Sequence, residues 1–122
     1  MTNIQTVKEY DLEERTARFG ENVIGYCKSL PSNIVTSPLI NQLVKAATSV
    51  GANYCEADDA ESKKDFKHKI GFCKKEARES KHFIRMLVIA INDKELEIIA
   101  KKLWIEAKEL NLIFNSIYRK VR

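Results

Sequence analysis

From Phe66 to Ile91 the chain places Phe66, Ile70, Cys73, Ala77, Ser80, Ile84, Leu87 and Ile91 in alternating steps of four and three, without a break. That period marks one face of an α-helix and excludes a strand, whose faces alternate every second residue. The run predicts one helix of roughly 30 residues, about 45 Å long. Ser62 is its expected N-cap, with Asp65 three residues on as capping partner. Asn92-Asp93 then marks a tight connection, because both residues tolerate turn geometry and Asp93 can cap the next helix.

Three further segments carry helical periods. Leu12, Thr16, Phe19, Val23, Tyr26 and Leu30 space a helix over 11–30, opened by Asp11 as N-cap with Glu14 and closed by Pro31. Residues 1–10 show no clear period and read as a flexible lead-in. Ser37-Pro38 reads as N-cap and first helical residue of a segment over 38–60, with Leu39, Leu43, Ala46, Val50 and Tyr54 on its apolar face. The long helix covers 62–91. A last segment over 93–120 carries Leu96, Ile99, Leu103, Leu110, Ile113 and Ile117. Four amphipathic segments joined by short loops predict an all-α, up-down-up-down four-helix bundle occupying 11–122 as one domain. Four Gly, two Pro and 31% charged residues in 122 agree with a helical globular chain.

No stretch approaches the roughly 20 apolar residues needed to span a bilayer, and the start lacks a secretion-signal pattern, so a cytoplasmic protein without a membrane partner is expected. Cys27, Cys55 and Cys73 are odd in number and widely spaced. They read as reduced, packed thiols rather than a disulfide framework, a zinc site or nucleophiles. Glu79-x-x-His82 and Asp65-x-x-His68 resemble halves of a di-iron site. They fall fourteen residues apart on one helix, about 21 Å along its axis, too far for one centre. Neither a metal nor another cofactor is expected, and no catalytic signature is present, so a non-enzymatic protein is expected.

The formal net charge of +4 conceals an asymmetry: residues 1–61 hold five Lys/Arg against nine Asp/Glu, and residues 62–122 hold sixteen against eight. Lys63, Lys64, Lys67, Lys74, Lys75, Arg78, Lys81 and Arg85 fall largely off the apolar face of the long helix. Such a cluster suits a polyanion, RNA or DNA, held by its phosphates; a merely solvated helix face is the plainer alternative. No aromatic or Arg/Asn base-reading set is evident. A protein-binding scaffold that touches no nucleic acid is the competing function.

Two further groups stand out. Ser49, Asn53 and Glu56 share one helical face among small residues, which predicts a buried polar network with Glu79 that fixes helix register. On the last helix a second apolar stripe includes Trp104, Ile105, Leu112, Phe114, Tyr118 and Val121. That exceeds what one monomer hides comfortably, so Trp104, Leu112, Phe114 and Tyr118 are expected at a subunit interface.

Gln42-Leu43-x-x-Ala46-x-x-Ser49-Val50-x-Ala52-Asn53-x-x-Glu56, then Lys64-Asp65-Phe66, then Glu76-Ala77-x-Glu79-Ser80 resemble the four-helix-bundle family first described from proteins encoded in intervening sequences of 23S ribosomal RNA genes. Arg15-Thr16-x-x-Phe19 through Leu30-Pro31 also resembles the start of that family. The resemblance covers about residues 10–120. It implies a left-handed bundle assembling as a homopentameric ring with a basic surface. Relatives include the accessory protein of diversity-generating retroelements, which implies nucleic acid and a reverse transcriptase as partners. The family's Asn-Ile-Ala-Glu-Gly is Asn53-Tyr54-Cys55-Glu56-Ala57 here, so the second helix is expected to run longer.

Overall fold

The computed structural model describes the backbone from Ile4 to Arg122 and the side chains from Leu12 onward. Within that range lie four helices, α1 (Ile4–Lys28), α2 (Thr36–Asp58), α3 (Lys63–Ile91) and α4 (Lys94–Lys120), and no strand. Each helix packs on its neighbour in sequence, and α1 closes back on α4 through a thinner seam. The arrangement is an all-α four-helix bundle.

The caps around α3 follow the expected chemistry. Ser62 Oγ accepts from the Asp65 N–H at 3.0 Å, and Asp93 Oδ1 accepts from the Leu96 N–H at 3.0 Å. Between them Asn92 takes the left-handed conformation, φ 53°, and its N–H donates to the Val88 carbonyl at 3.0 Å. Asparagine is among the few non-glycine residues that enter this region readily, so α3 and α4 are joined by two residues only.

The starts of α1 and α2 differ from expectation. Helical backbone begins at Ile4, so Asp11 lies inside α1 and is not its N-cap; residues 1–3 of the expected lead-in lie outside the described residues. In α2 the N-terminal chemistry belongs to Asn33 and Thr36 instead of Ser37. Asn33 Oδ1 accepts from the N–H groups of Val35 and Thr36, both at 2.9 Å. Thr36 Oγ1 donates to the Pro31 carbonyl at 2.7 Å and accepts from the Asn33 N–H at 3.0 Å. Ser37 Oγ faces Ser32 Oγ at 2.9 Å. Pro38 then falls in the first turn, where a missing N–H leaves no helical hydrogen bond unmade. At the other end α2 runs through buried Ala57 to Asp58.

The core is drawn from all four helices: Phe19 and Val23, Leu43 and Val50, Ile70, Ile84 and Leu87, Leu110 and Phe114 are all buried. Small residues between them set how closely the axes approach. A Cβ on Gly51 would stand 3.3 Å from Thr16 Oγ1 and 3.5 Å from the Thr16 carbonyl carbon, so α1 crosses α2 where the side chain is absent. Thr16 is itself buried, and its hydroxyl is satisfied by the Leu12 carbonyl at 2.8 Å. The α1/α4 seam relies on a polar clasp. Arg15 Nε and Nη2 donate to the two Glu106 carboxylate oxygens at 2.8 and 2.7 Å, and Nη2 also reaches Glu109 at 2.9 Å. A fork of this kind combines charge with fixed geometry.

Phe114 does not belong to an intersubunit surface. Its side chain is fully buried and its ring centroid lies 5.8 Å from that of Tyr54, inside the core. The two apolar stripes of α4 are adjacent, and Phe114 falls on the inner one with Leu103, Ala107 and Leu110. Replacing it by alanine is expected to cost about 3–5 kcal/mol through lost burial and an unfilled cavity. Urea unfolding of Phe114→Ala measures this; a loss below about 1 kcal/mol would contradict the core placement.

Candidate nucleic-acid interface

At 100° per residue, Lys63, Lys64, Lys67, Lys74, Lys75, Arg78, Lys81 and Arg85 fall within roughly one third of the circumference of α3. Asp65, Glu76 and Glu79 fall outside that sector. Among the described residues none of the eight cations is ion-paired; the ion pairs formed are those of Arg15, Arg18 and Lys69. Lys69 shows the contrast, since it points toward α2 and holds Glu56 at 2.8 Å.

Within the sector Lys67, Lys74 and Lys81 repeat every seven residues along the seam with α4, half-buried, while the other five are exposed. Their stems lie along apolar surface and their ammonium groups sit over rings of α4. Lys67 Nζ is 4.7 Å and Lys74 Nζ 4.2 Å from the Tyr118 ring centroid. Lys81 Nζ is 5.4 Å from Trp104, which Lys108 approaches from its own helix at 5.6 Å. Exposed contacts of this type are worth about 0.5–1 kcal/mol each. Early residues of α3 thus face late residues of α4. That register is pinned by Asn111, whose Nδ2 donates to the Lys74 carbonyl at 2.7 Å, and by Lys74 Nζ, which donates to Asn115 Oδ1 at 3.3 Å.

Gly71 makes room for one of the rings. A Cβ there would lie 3.3 Å from Tyr118 Cε2, so the ring edge rests against the α3 backbone between Lys67 and Lys74. A glycine inside a helix costs up to about 1 kcal/mol relative to alanine, and here it leaves space that Tyr118 fills. Beyond Tyr118 the seam opens into a cleft of about 600 Å³ around the start of α3, with Lys63, Lys64, Lys67 and Arg122 on its walls. Trp104 and Tyr118 are therefore half-buried members of the α3/α4 seam.

Of the expected subunit surface, Leu112 stays exposed. With Ile98 and Ile105 it forms a line at seven-residue spacing, 57%, 61% and 48% exposed respectively. Ile98 was outside the stripe expected from sequence; its seven-residue offset from Ile105 is the signal that includes it.

The polar set on α2 does not form the expected buried network with Glu79 of α3. Ser49 Oγ donates to the Lys45 carbonyl at 2.6 Å and Asn53 Nδ2 to the Ser49 carbonyl at 2.8 Å, both within α2. Glu56 is exposed and pairs with Lys69. Glu79 lies near Glu76 on its own helix; burial, then the Glu79 charge, raise the Glu76 carboxyl from its ordinary value. Short polar side chains can return to the carbonyl one turn back, which removes the need for a cross-helix partner. His68 and His82 meet Phe72 and Phe83 edge-on. Among the described residues there is no cluster of three or more His, Cys, Asp or Glu suited to a metal, and no helix long and apolar enough to cross a membrane.

A family model described as 23S rRNA-intervening sequence protein matches residues 8–117. A crystal structure of a protein of unknown function from the S23 ribosomal protein family of Bacteroides thetaiotaomicron superposes with a TM-score of 0.74 at 23% identity, over 89% of this chain and 99% of that one. No curated protein matches.

The thiols separate by environment. Burial pushes Cys27 up to about 11 and Cys73 up to about 12, whereas Cys55 is exposed. A thiol reagent at pH 8 is expected to label Cys55 alone until the chain unfolds, as mass spectrometry would show. Unfolded thiols titrate near pH 8.5, so the folded state gains from holding these two protonated below that value. That gain is lost as pH rises through the folded values, and the unfolding free energy should fall between about pH 9 and 12.

Proposed function

The chain belongs to the 23S rRNA-intervening sequence protein family, and we propose that it works as a non-enzymatic, oligomeric helical bundle whose α3 sector holds RNA or DNA by the phosphates. The observation that carries this is the set of eight α3 cations in one sector without a carboxylate partner among the described residues. Uncompensated charge repels itself, and a polyanion relieves the repulsion while releasing its own counterions. Phosphate contacts position a nucleic acid without reading its sequence, so binding without base preference is expected.

The exposed line Ile98, Ile105 and Leu112 supports self-association as the second part of the proposal. The bundle is taken as left-handed and up-down-up-down, joined to further copies in a ring, with five as the expected number. A ring would repeat the basic sector, and linked weak sites bind far more tightly than one alone. The same line also favours the competing reading, a scaffold that docks a protein partner and no nucleic acid.

Anisotropy titrations with generic RNA and duplex DNA between about 50 and 200 mM salt test the first part. The affinity should fall steeply across that range. Lys67→Glu with Lys74→Glu should weaken all sequences alike and flatten the salt slope by about one unit for each contact removed. No binding at low salt, or binding indifferent to salt, would favour the scaffold. For assembly, sedimentation of the unaltered chain should give a species larger than a monomer at micromolar concentration. Ile105→Glu should shift it toward the monomer without lowering helix content.

A further inference from the structure

We infer that the α3/α4 seam takes single-stranded rather than duplex nucleic acid, with unpaired bases stacking at Tyr118 and Trp104 while Lys67, Lys74 and Lys81 turn to the phosphates. The inference rests on the nucleic-acid reading above and adds the form of the ligand.

Three observations on the seam carry it. Its cations and rings are interleaved: Lys67 and Lys74 flank Tyr118, and Lys81 and Lys108 flank Trp104. The rings lie fourteen residues apart on one helix, about 21 Å, and the three lysines of α3 recur about every 10 Å beside them. A charged groove that follows a backbone, with aromatic stations at intervals, is the arrangement used by modules that hold single strands over about 4–16 nucleotides. Lastly, Tyr118 is seated against Gly71, so its ring has a fixed edge on α3 instead of swinging freely.

In the free protein the ammonium groups cover the rings. A base stacked on a ring is worth about as much as a partly solvated lysine–ring contact, and the displaced ammonium gains a phosphate when it leaves. The exchange therefore favours a ligand that brings bases and phosphates together. A duplex brings phosphates but keeps its base faces stacked inside, and rings lying in a seam between two helices do not reach them. A base-free polyanion has nothing to place on the rings at all.

The chain contains one tryptophan, so intrinsic fluorescence reports Trp104 directly. Oligo(rU) and oligo(dT) of about 12 nucleotides, a duplex of the same length and inorganic polyphosphate are titrated into the unaltered full chain at one salt concentration, with binding followed in parallel by anisotropy using labelled strands. Both single strands are expected to quench Trp104 at saturation; polyphosphate and duplex should leave its emission nearly unchanged. Tyr118→Leu is expected to weaken single-strand binding about 5- to 100-fold and duplex binding by less than about twofold. Tyr118→Phe keeps the ring and should bind single strands like the unaltered chain, which separates a lost ring from a damaged fold. Equal affinity for single strand and duplex, or saturating single-strand binding with Trp104 emission unmoved, overturns this inference and leaves phosphate binding standing. No binding by any nucleic acid overturns both.

Discussion

The buried stripe of α3 controls where everything else in this bundle can go. Ile70, Cys73, Ala77, Ser80, Ile84 and Leu87 are enclosed by α2 on one flank and α4 on the other. The middle of that stripe is narrow, with Cys73, Ala77 and Ser80 in succession, so the neighbouring helices come close and only the opposite side of α3 stays wet. Eight cations that look dispersed along 23 residues of sequence fall on that side by their helical spacing. Residue spacing sets the sector, and because packing claims much of the remaining circumference the sector is left as an open side of the helix.

Gathering like charge opposes folding, and the structure shows how the cost is limited. Lys67, Lys74 and Lys81 lay their stems along α4 and end over Tyr118 or Trp104, whose ring faces carry partial negative charge. Lys74 also donates to Asn115. The five exposed cations keep their hydration and are screened by salt. Carboxylates would have removed the repulsion more fully, and the sector has none. The charge is tolerated in the folded state without being neutralised there.

The helices were legible because their signals were redundant. The 4-3 repeat of α3 was flanked by Ser62 at one end and Asn92-Asp93 at the other, and each of these makes the backbone contact its chemistry suggests. Legibility failed where one residue type allows two outcomes. Asn33 and Ser37 are both good capping residues, and the choice between them was made by Thr36 turning back to the Pro31 carbonyl. Phe114 sits beside an exposed stripe on the same helix, and one residue of helical phase decides which stripe owns it. Ser49 and Asn53 lie on one face as the sequence says, but their side chains fold back on α2. The pairing of rings with lysines required the register of α3 against α4, which Asn111 sets from a position with no periodic signature.

The clasp of Arg15 on Glu106 and Glu109 has a consequence for how the molecule responds to salt. Among the described residues the α1/α4 seam is the thinnest of the four, and Arg15 and Glu106 fasten it with an ion pair at the rim, each about a quarter exposed. Contacts of that kind weaken with salt and with protonation of the carboxylates, whereas the apolar seams flanking α3 do not. The α3–α4 hairpin is joined by two residues and by the Asn111 hydrogen bond, and Arg15 takes no part in it. The lysines and rings sit wholly on that hairpin. Salt that weakens the clasp therefore acts on the α1/α4 seam and removes none of the contacts that seat these lysines against the rings.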